Sequence, residues 1–233
     1  MLFALGEPVA FVALVVAFLL GLLLRALAIR ITARTLRLTE RRDPVLPRPR
    51  EDIDPFGAVA AAVGGMGWGK PISVDEVPRY HGRGRAAAVF ASGPLVCILV
   101  SQLLFAAYVI AFPDNLLSVL GVSDVLRGFT LLRGVTLPMA EQVLLCLAVG
   151  LLAFGLLALI PIPPLDGFGI LWSALRQPGA GAQQMRLWLE DKNIGVLILL
   201  VLCFFPLGYP VLLMILDVLG VLFLRLWGGP VPL

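Results

Sequence analysis

Long stretches without charge, separated by charged or proline-rich breaks, set the pattern of this chain. Pro8 to Leu24 carries no charge and stops at Arg25, Ala86 to Phe112 is charge-free, and Gln142 to Leu165 is charge-free up to Asp166. Apolar runs of about 17–25 residues are long enough to cross roughly 30 Å of hydrocarbon as helix. A further run, Ile194 to Leu216, contains Phe205-Pro-Leu-Gly-Tyr-Pro210, and a proline removes a backbone donor and clashes with the preceding turn. The pattern therefore predicts helices over residues 8–29, 86–112, 139–163, 194–205 and 209–227, with the fourth short or tilted.

Composition strengthens this reading. With 60% hydrophobic and 14% charged residues and a mean hydropathy of +0.98, the chain is much more apolar than soluble domains. No hydrophilic stretch is long enough to fold alone, so residues 1–233 are expected to form a single membrane domain. The N-terminal run lacks a basic leader, has Glu7 where a positive charge would stand, and ends in no small-x-small site. It is read as a mature helix rather than a signal peptide. The expected fold is an all-α polytopic membrane protein of about 4–5 transmembrane helices.

Charge distribution gives an orientation. Residues 25–85 hold twelve of the eighteen Lys and Arg, whereas 113–141 hold only Arg127 and Arg133. The positive-inside tendency makes the basic loop 30–85 cytoplasmic, in a multi-pass protein of a cell membrane. Its charges are assigned to topology and to attraction by the lipid bilayer, not to nucleic acid. Within it, Phe56 to Gly69 is apolar but too short to span. Five glycines argue against a stable helix, because each costs about 1 kcal/mol relative to Ala. A re-entrant segment is expected over 56–69, covered by protein so that its backbone avoids lipid.

Few residues offer chemistry. Cys97, Cys146 and Cys203 lie in three separate apolar runs and read as small hydrophobes. The single histidine, His81, sits in Arg79-Tyr-His-Gly-Arg-Gly-Arg85 and reads as a solvated residue. Asp166 and Asp217 stand out, since a carboxylate at membrane depth needs a partner or a job. Before Gly167, Asp166 also has a structural use, accepting backbone hydrogen bonds in a tight turn. Asp217, in an otherwise apolar run, is the better candidate for an intramembrane contact.

Four stretches resemble one family in order. Ile160-Pro-Ile-Pro-Pro-Leu-Asp-Gly167 resembles the PxPxLDG signature of site-2 proteases, the intramembrane zinc metalloproteases. Arg37-Leu-Thr39 with Ile53-Asp-Pro-Phe-Gly57, then Gly67-Trp-Gly-Lys-Pro-Ile72, then Ala91-Ser-Gly-Pro94 resemble further motifs of its compact prokaryotic branch. The resemblance covers roughly residues 15–175. It implies a site-2-protease-like helical core with a re-entrant or β-hairpin loop.

In that family, zinc is held by the two His of an HExxH helix and by the Asp of LDG, with the Glu as general base. His at i and i+4 share one helical face and leave a coordination position for water. Aligned without gaps on Arg37-Leu-Thr39, the first His falls at Val16, the Glu at Ala17 and the second His at Leu20, and no His, Glu, Asp or Cys lies between Pro8 and Thr39. Ala158 and Cys97 also replace the family's common asparagines. Asp166 is thus a remnant ligand position, with no catalytic residue, metal site or cofactor expected. The resemblance then implies a catalytically inactive protein, either an accessory subunit of a membrane complex or a non-cleaving binder of transmembrane clients. Its partners would be other integral membrane proteins, met at Asp217, Gly65, Gly67, Trp68, Gly69 and Pro164. The alternative is an active zinc protease with a non-standard site.

Overall fold

The computed structural model describes residues 2–38, 46, 52–77, 82–113, 117, 120–129, 137–204 and 210–228. A short 3-10 helix, Leu2–Gly6, leads into α1, Pro8–Thr35, where Pro8 occupies the first turn and its missing donor costs nothing. The remaining α-helices are α2 (Pro55–Gly64), α3 (Arg83–Ala111), α4 (Val122–Leu126), α5 (Met139–Ala158), α6 (Asp166–Ala174), α7 (Ala180–Arg186), α8 (Ile194–Phe204) and α9 (Val211–Gly228). A π-helical turn, Leu187–Asp191, connects α7 to α8. Four helices, α1, α3, α5 and α9, are long and apolar enough to cross a membrane. The protein is an all-helical polytopic membrane protein; among the described residues, the β-structure is one antiparallel bridge between Ile53 and Gly69.

The central element is α5, which packs on both α1 and α3. Glycines permit that closeness. A Cβ on Gly150 would lie 2.7 Å from that of Ala17, and one on Gly155 would lie 2.9 Å from the carbonyl oxygen of Pro94. Toward the Arg83 end of α3, a second core joins Ile29 and Ala33 of α1, Val89 and Phe90 of α3, and Phe168 and Trp172 of α6.

Several boundaries differ from those expected. α1 runs on to Thr35 instead of stopping near 29, because Arg and Ala are good helix formers and a charge ends a membrane span without ending a helix. α5 stops at Ala158, before 163, since Pro161, Pro163 and Pro164 cannot continue it. The break between α8 and α9 falls where the prolines placed it, with 205–209 outside the described residues.

Segment 56–69 corrects the glycine argument, because its first half is helical. Asp54 caps α2 by accepting from the Phe56 amide at 3.2 Å, Pro55 opens it, and the left-handed Gly65 (φ 81°) closes it. Capping and the alanine run offset the glycine cost. The chain then returns through Met66–Gly69, with Gly67 beside Phe18 and Gly69 beside Leu22 of α1, so the segment is a short helix followed by a return limb.

Candidate functional site

The turn after α5 folds Asp166 inward. Gly167 is needed there: a Cβ would stand 2.1 Å from the carbonyl oxygen of Leu159. Asp166 becomes the first residue of α6, 3% exposed. Its charge is met by Arg25 of α1, whose Nε donates to Oδ2 at 2.6 Å and whose Nη2 donates to Oδ1 at 2.5 Å. Both carboxylate oxygens are therefore bound by one guanidinium, in the bidentate geometry that makes such pairs strong. The remaining nitrogen, Nη1, donates to the carbonyl of Lys70 at 3.1 Å.

Three elements shape the room around Arg25. A Cβ on Gly93 of α3 would lie 2.8 Å from the Arg25 Cγ, and one on Gly69 would lie 3.1 Å from Nη1. Trp68 is buried, and its Nε1 donates to Asp54 at 2.5 Å, which locks the returning limb to the start of α2. Beside the pair, the cavity lined by Gly67, Trp68, Phe154, Pro164 and Asp166 has a volume of about 10 Å³. A neighbouring cavity between Leu14, Phe18, Met66 and Ala153 measures about 20 Å³. Each has space for about one water.

Of the expected contact positions, five gather here. Gly67, Trp68, Gly69 and Pro164 wall the Arg25–Asp166 pair, and Gly65 lines the adjoining cavity. They face inward. A Cβ on Gly67 would come within 2.3 Å of the Gly57 carbonyl oxygen, so its smallness serves packing inside the chain. Asp217 is elsewhere: it accepts from the Ser123 amide at 2.8 Å, so an intrachain partner occupies it. His81 lies outside the described residues. The three cysteines are free and buried, as small hydrophobes are.

Arg25, grouped in the sequence with the basic charges of 25–85, is instead turned into the protein. It is 6% exposed. The gapless register on α1 also needs correction. Val16 is 47% exposed and, nine residues from Arg25, points roughly 180° away from it around the helix. Gly21 and Arg25, at i and i+4, share the face toward Asp166. Gly21 lies under the Phe154 ring, and its carbonyl accepts from the Cys97 thiol at 3.6 Å. Among the described residues, no three His, Cys, Asp or Glu side chains converge as a metal-binding group.

With this geometry in view, comparison with known proteins adds one relative. The chain is related to a protein named for zinc-dependent proteolysis. It is 32% identical over 166 residues to "Putative zinc metalloprotease YwhC" of Bacillus subtilis (strain 168). The match covers 70% of this chain and 66% of YwhC, just under two thirds of that protein's length. No protein-family model matches the chain. No solved structure matches it either. The zinc in the name belongs to YwhC; in this chain the conspicuous aspartate is held by an arginine.

One more charged cluster lies outside the spanning helices. Arg186 donates to both oxygens of Asp75, at 3.1 and 2.5 Å, and to Glu190 at 2.8 Å, while lying 5.4 Å from the ring centroid of Trp172. Asp75 first, then Glu190, holds the guanidinium protonated beyond its ordinary range.

Proposed function

We propose that this chain is a non-hydrolysing member of the site-2 protease family, built to hold other integral membrane proteins as an accessory subunit. The observation that carries this reading is the bidentate Arg25–Asp166 pair. In the family, the aspartate of LDG binds zinc together with two His at i and i+4. The face of α1 that meets Asp166 carries Gly21 and Arg25 at that spacing, with Leu22 next to Gly21 where the motif has its Glu. A guanidinium supplies one positive charge and hydrogen-bond donors, but no lone pair to a metal. Zinc therefore does not fit the donor set around Asp166, and no step of peptide hydrolysis is derived from it.

The small adjoining cavities support the subunit role over gripping of clients in the ancestral cleft. The side chains of Phe18, Leu22 and Phe154 occupy the space between α1 and α5, and an extended client segment would have to displace them. Contact with partners is then left to the outward faces of the helices. The name of YwhC favours a second reading, an active zinc metalloprotease, which would require Arg25 to leave Asp166 and other ligands to arrive.

Purification from native membranes in mild detergent, with metal analysis and partner identification on the same sample, tests both parts. Stoichiometric membrane partners and far less than one zinc per chain are expected. About one zinc per chain, lost on Asp166→Ala, would overturn the inactive reading. A metal-poor chain recovered alone would overturn the subunit role.

A further inference from the structure

Between α6 and α8 the chain runs along the surface for thirteen residues, Ala180 to Lys192, and α7 within it has no buried residue. Three of its large apolar side chains point outward: Met185 and Leu187 are each 52% exposed and Trp188 is 49% exposed. Its polar side is tied down, Arg186 to Asp75 and Glu190, and Glu190 to the Ser73 hydroxyl at 2.9 Å. The segment is therefore held with Met185, Leu187 and Trp188 away from the protein.

Its two ends adjoin the starts of apolar helices. Before it, Phe168 and Trp172 of α6 pack on Ala86, Val89 and Phe90, the first turns of α3 just after Arg83 and Arg85. Those arginines mark where the apolar span of α3 begins. After it, the uncharged α8 starts at Ile194, with Gly195 against the carbonyl of Pro163. Lys192, the last charge before α8, places its Nζ 4.2 Å from the centroid of the Trp188 ring. Tryptophan beside lysine, next to an apolar helix start, is the chemistry of a bilayer interface.

We propose that Ala180–Lys192 lies in the headgroup layer and takes phospholipid as its partner. Leu187 and Trp188 enter the upper acyl region, and Lys192 stays level with the phosphates. The shallow groove lined by Gln183, Gln184, Leu187, Trp188 and Lys192 admits the glycerol and headgroup of one lipid. The continuity of this surface with the uncharged, apolar α8 favours lipid over a protein partner. The inference stands whether or not the protein hydrolyses peptides.

The test uses the full chain in phosphatidylcholine–phosphatidylglycerol nanodiscs, with the difference in emission between the parent and Trp188→Phe isolating Trp188. Lipids brominated near the top of the acyl chain are expected to reduce that emission about twofold, with much weaker quenching by lipids brominated near the methyl end and by aqueous iodide. Dominant iodide quenching would overturn the proposal in favour of a water-facing segment. Quenching by none of the three would mean a protein cover, and strongest quenching by the deep bromines would mean a buried span; each defeats it. A nitroxide on Leu187→Cys reads depth independently, because the native cysteines are buried. Collision with oxygen should exceed collision with a water-soluble nickel complex, and the reverse order would also defeat the proposal.

Discussion

At the start of α5, Glu141 is 7% exposed and accepts one bond from the Tyr108 hydroxyl at 2.9 Å; just past the end of α5, Asp166 is 3% exposed and accepts two from a guanidinium. Both carboxylates are as buried as core leucines. Glu141 sits in the first turn of a long helix, where the unpaired amides and the macrodipole favour negative charge, so a neutral phenol suffices beside it. Asp166 is likewise in a first turn, that of α6, but both of its oxygens are taken by a side chain from the middle of a helix in a distant part of the chain. There a full positive charge is present, surrounded by glycines that give it space. Equal burial thus coexists with unequal dependence on a single partner.

The largest break in that comparison is Arg25→Ala. Leaving a buried carboxylate unpaired should cost about 3–5 kcal/mol, seen as a lowered midpoint of thermal unfolding in detergent micelles. A cost below about 1 kcal/mol would mean that water reaches Asp166 freely. The paired change Arg25→Met with Asp166→Leu should recover most of the loss, because an apolar pair of similar volume removes both desolvation costs.

Gly67→Ala attacks the wall of the same site without touching its charges. A methyl at 2.3 Å from the Gly57 carbonyl oxygen forces the returning limb outward, at about 1–3 kcal/mol in the same unfolding assay. At the other end of α5, Tyr108→Phe should cost only about 1 kcal/mol, one hydrogen bond to a carboxylate that keeps its helix-terminal environment. If it matched Arg25→Ala, the contrast between the two ends would collapse. Smallest is Asp75→Asn, where the Asp75 side chain is 76% exposed. Its effect should stay under about 1 kcal/mol and shrink further as salt is added, unlike those of the buried positions.

Much of the helical frame was legible from runs of apolar residues, because length and charge decide what can cross a bilayer. The proline-rich breaks at 161–164 and 205–210 fixed where α5 and α8 end or begin to end. Arg25 was not legible in the same way. A lone arginine after an apolar run looks the same whether it ends a span in headgroups or folds inward, and its partner lies 141 residues away. Asp166 stands out as a charge at membrane depth, but with Arg25 grouped among the basic charges of 25–85 the sequence offers it no partner. The helix at Pro55–Gly64 was missed for a related reason. Glycine counts measure an average cost, whereas Gly57 and Gly67 are spaced to let one limb of the segment touch the other. Gly67 and Trp68 are in close contact with α2 and its cap, and Gly69 with α1, contacts within the chain that a sequence pattern does not reveal.

The Arg25–Asp166 pair also has a place in time. A chain made from its N-terminus presents Arg25 to the membrane long before Asp166 has been synthesised. During that interval the arginine is a cation without its carboxylate, costly to bury in hydrocarbon and drawn to lipid phosphate. Because the two partners stand 141 residues apart, synthesis order makes the closing of this ion pair a late step of assembly.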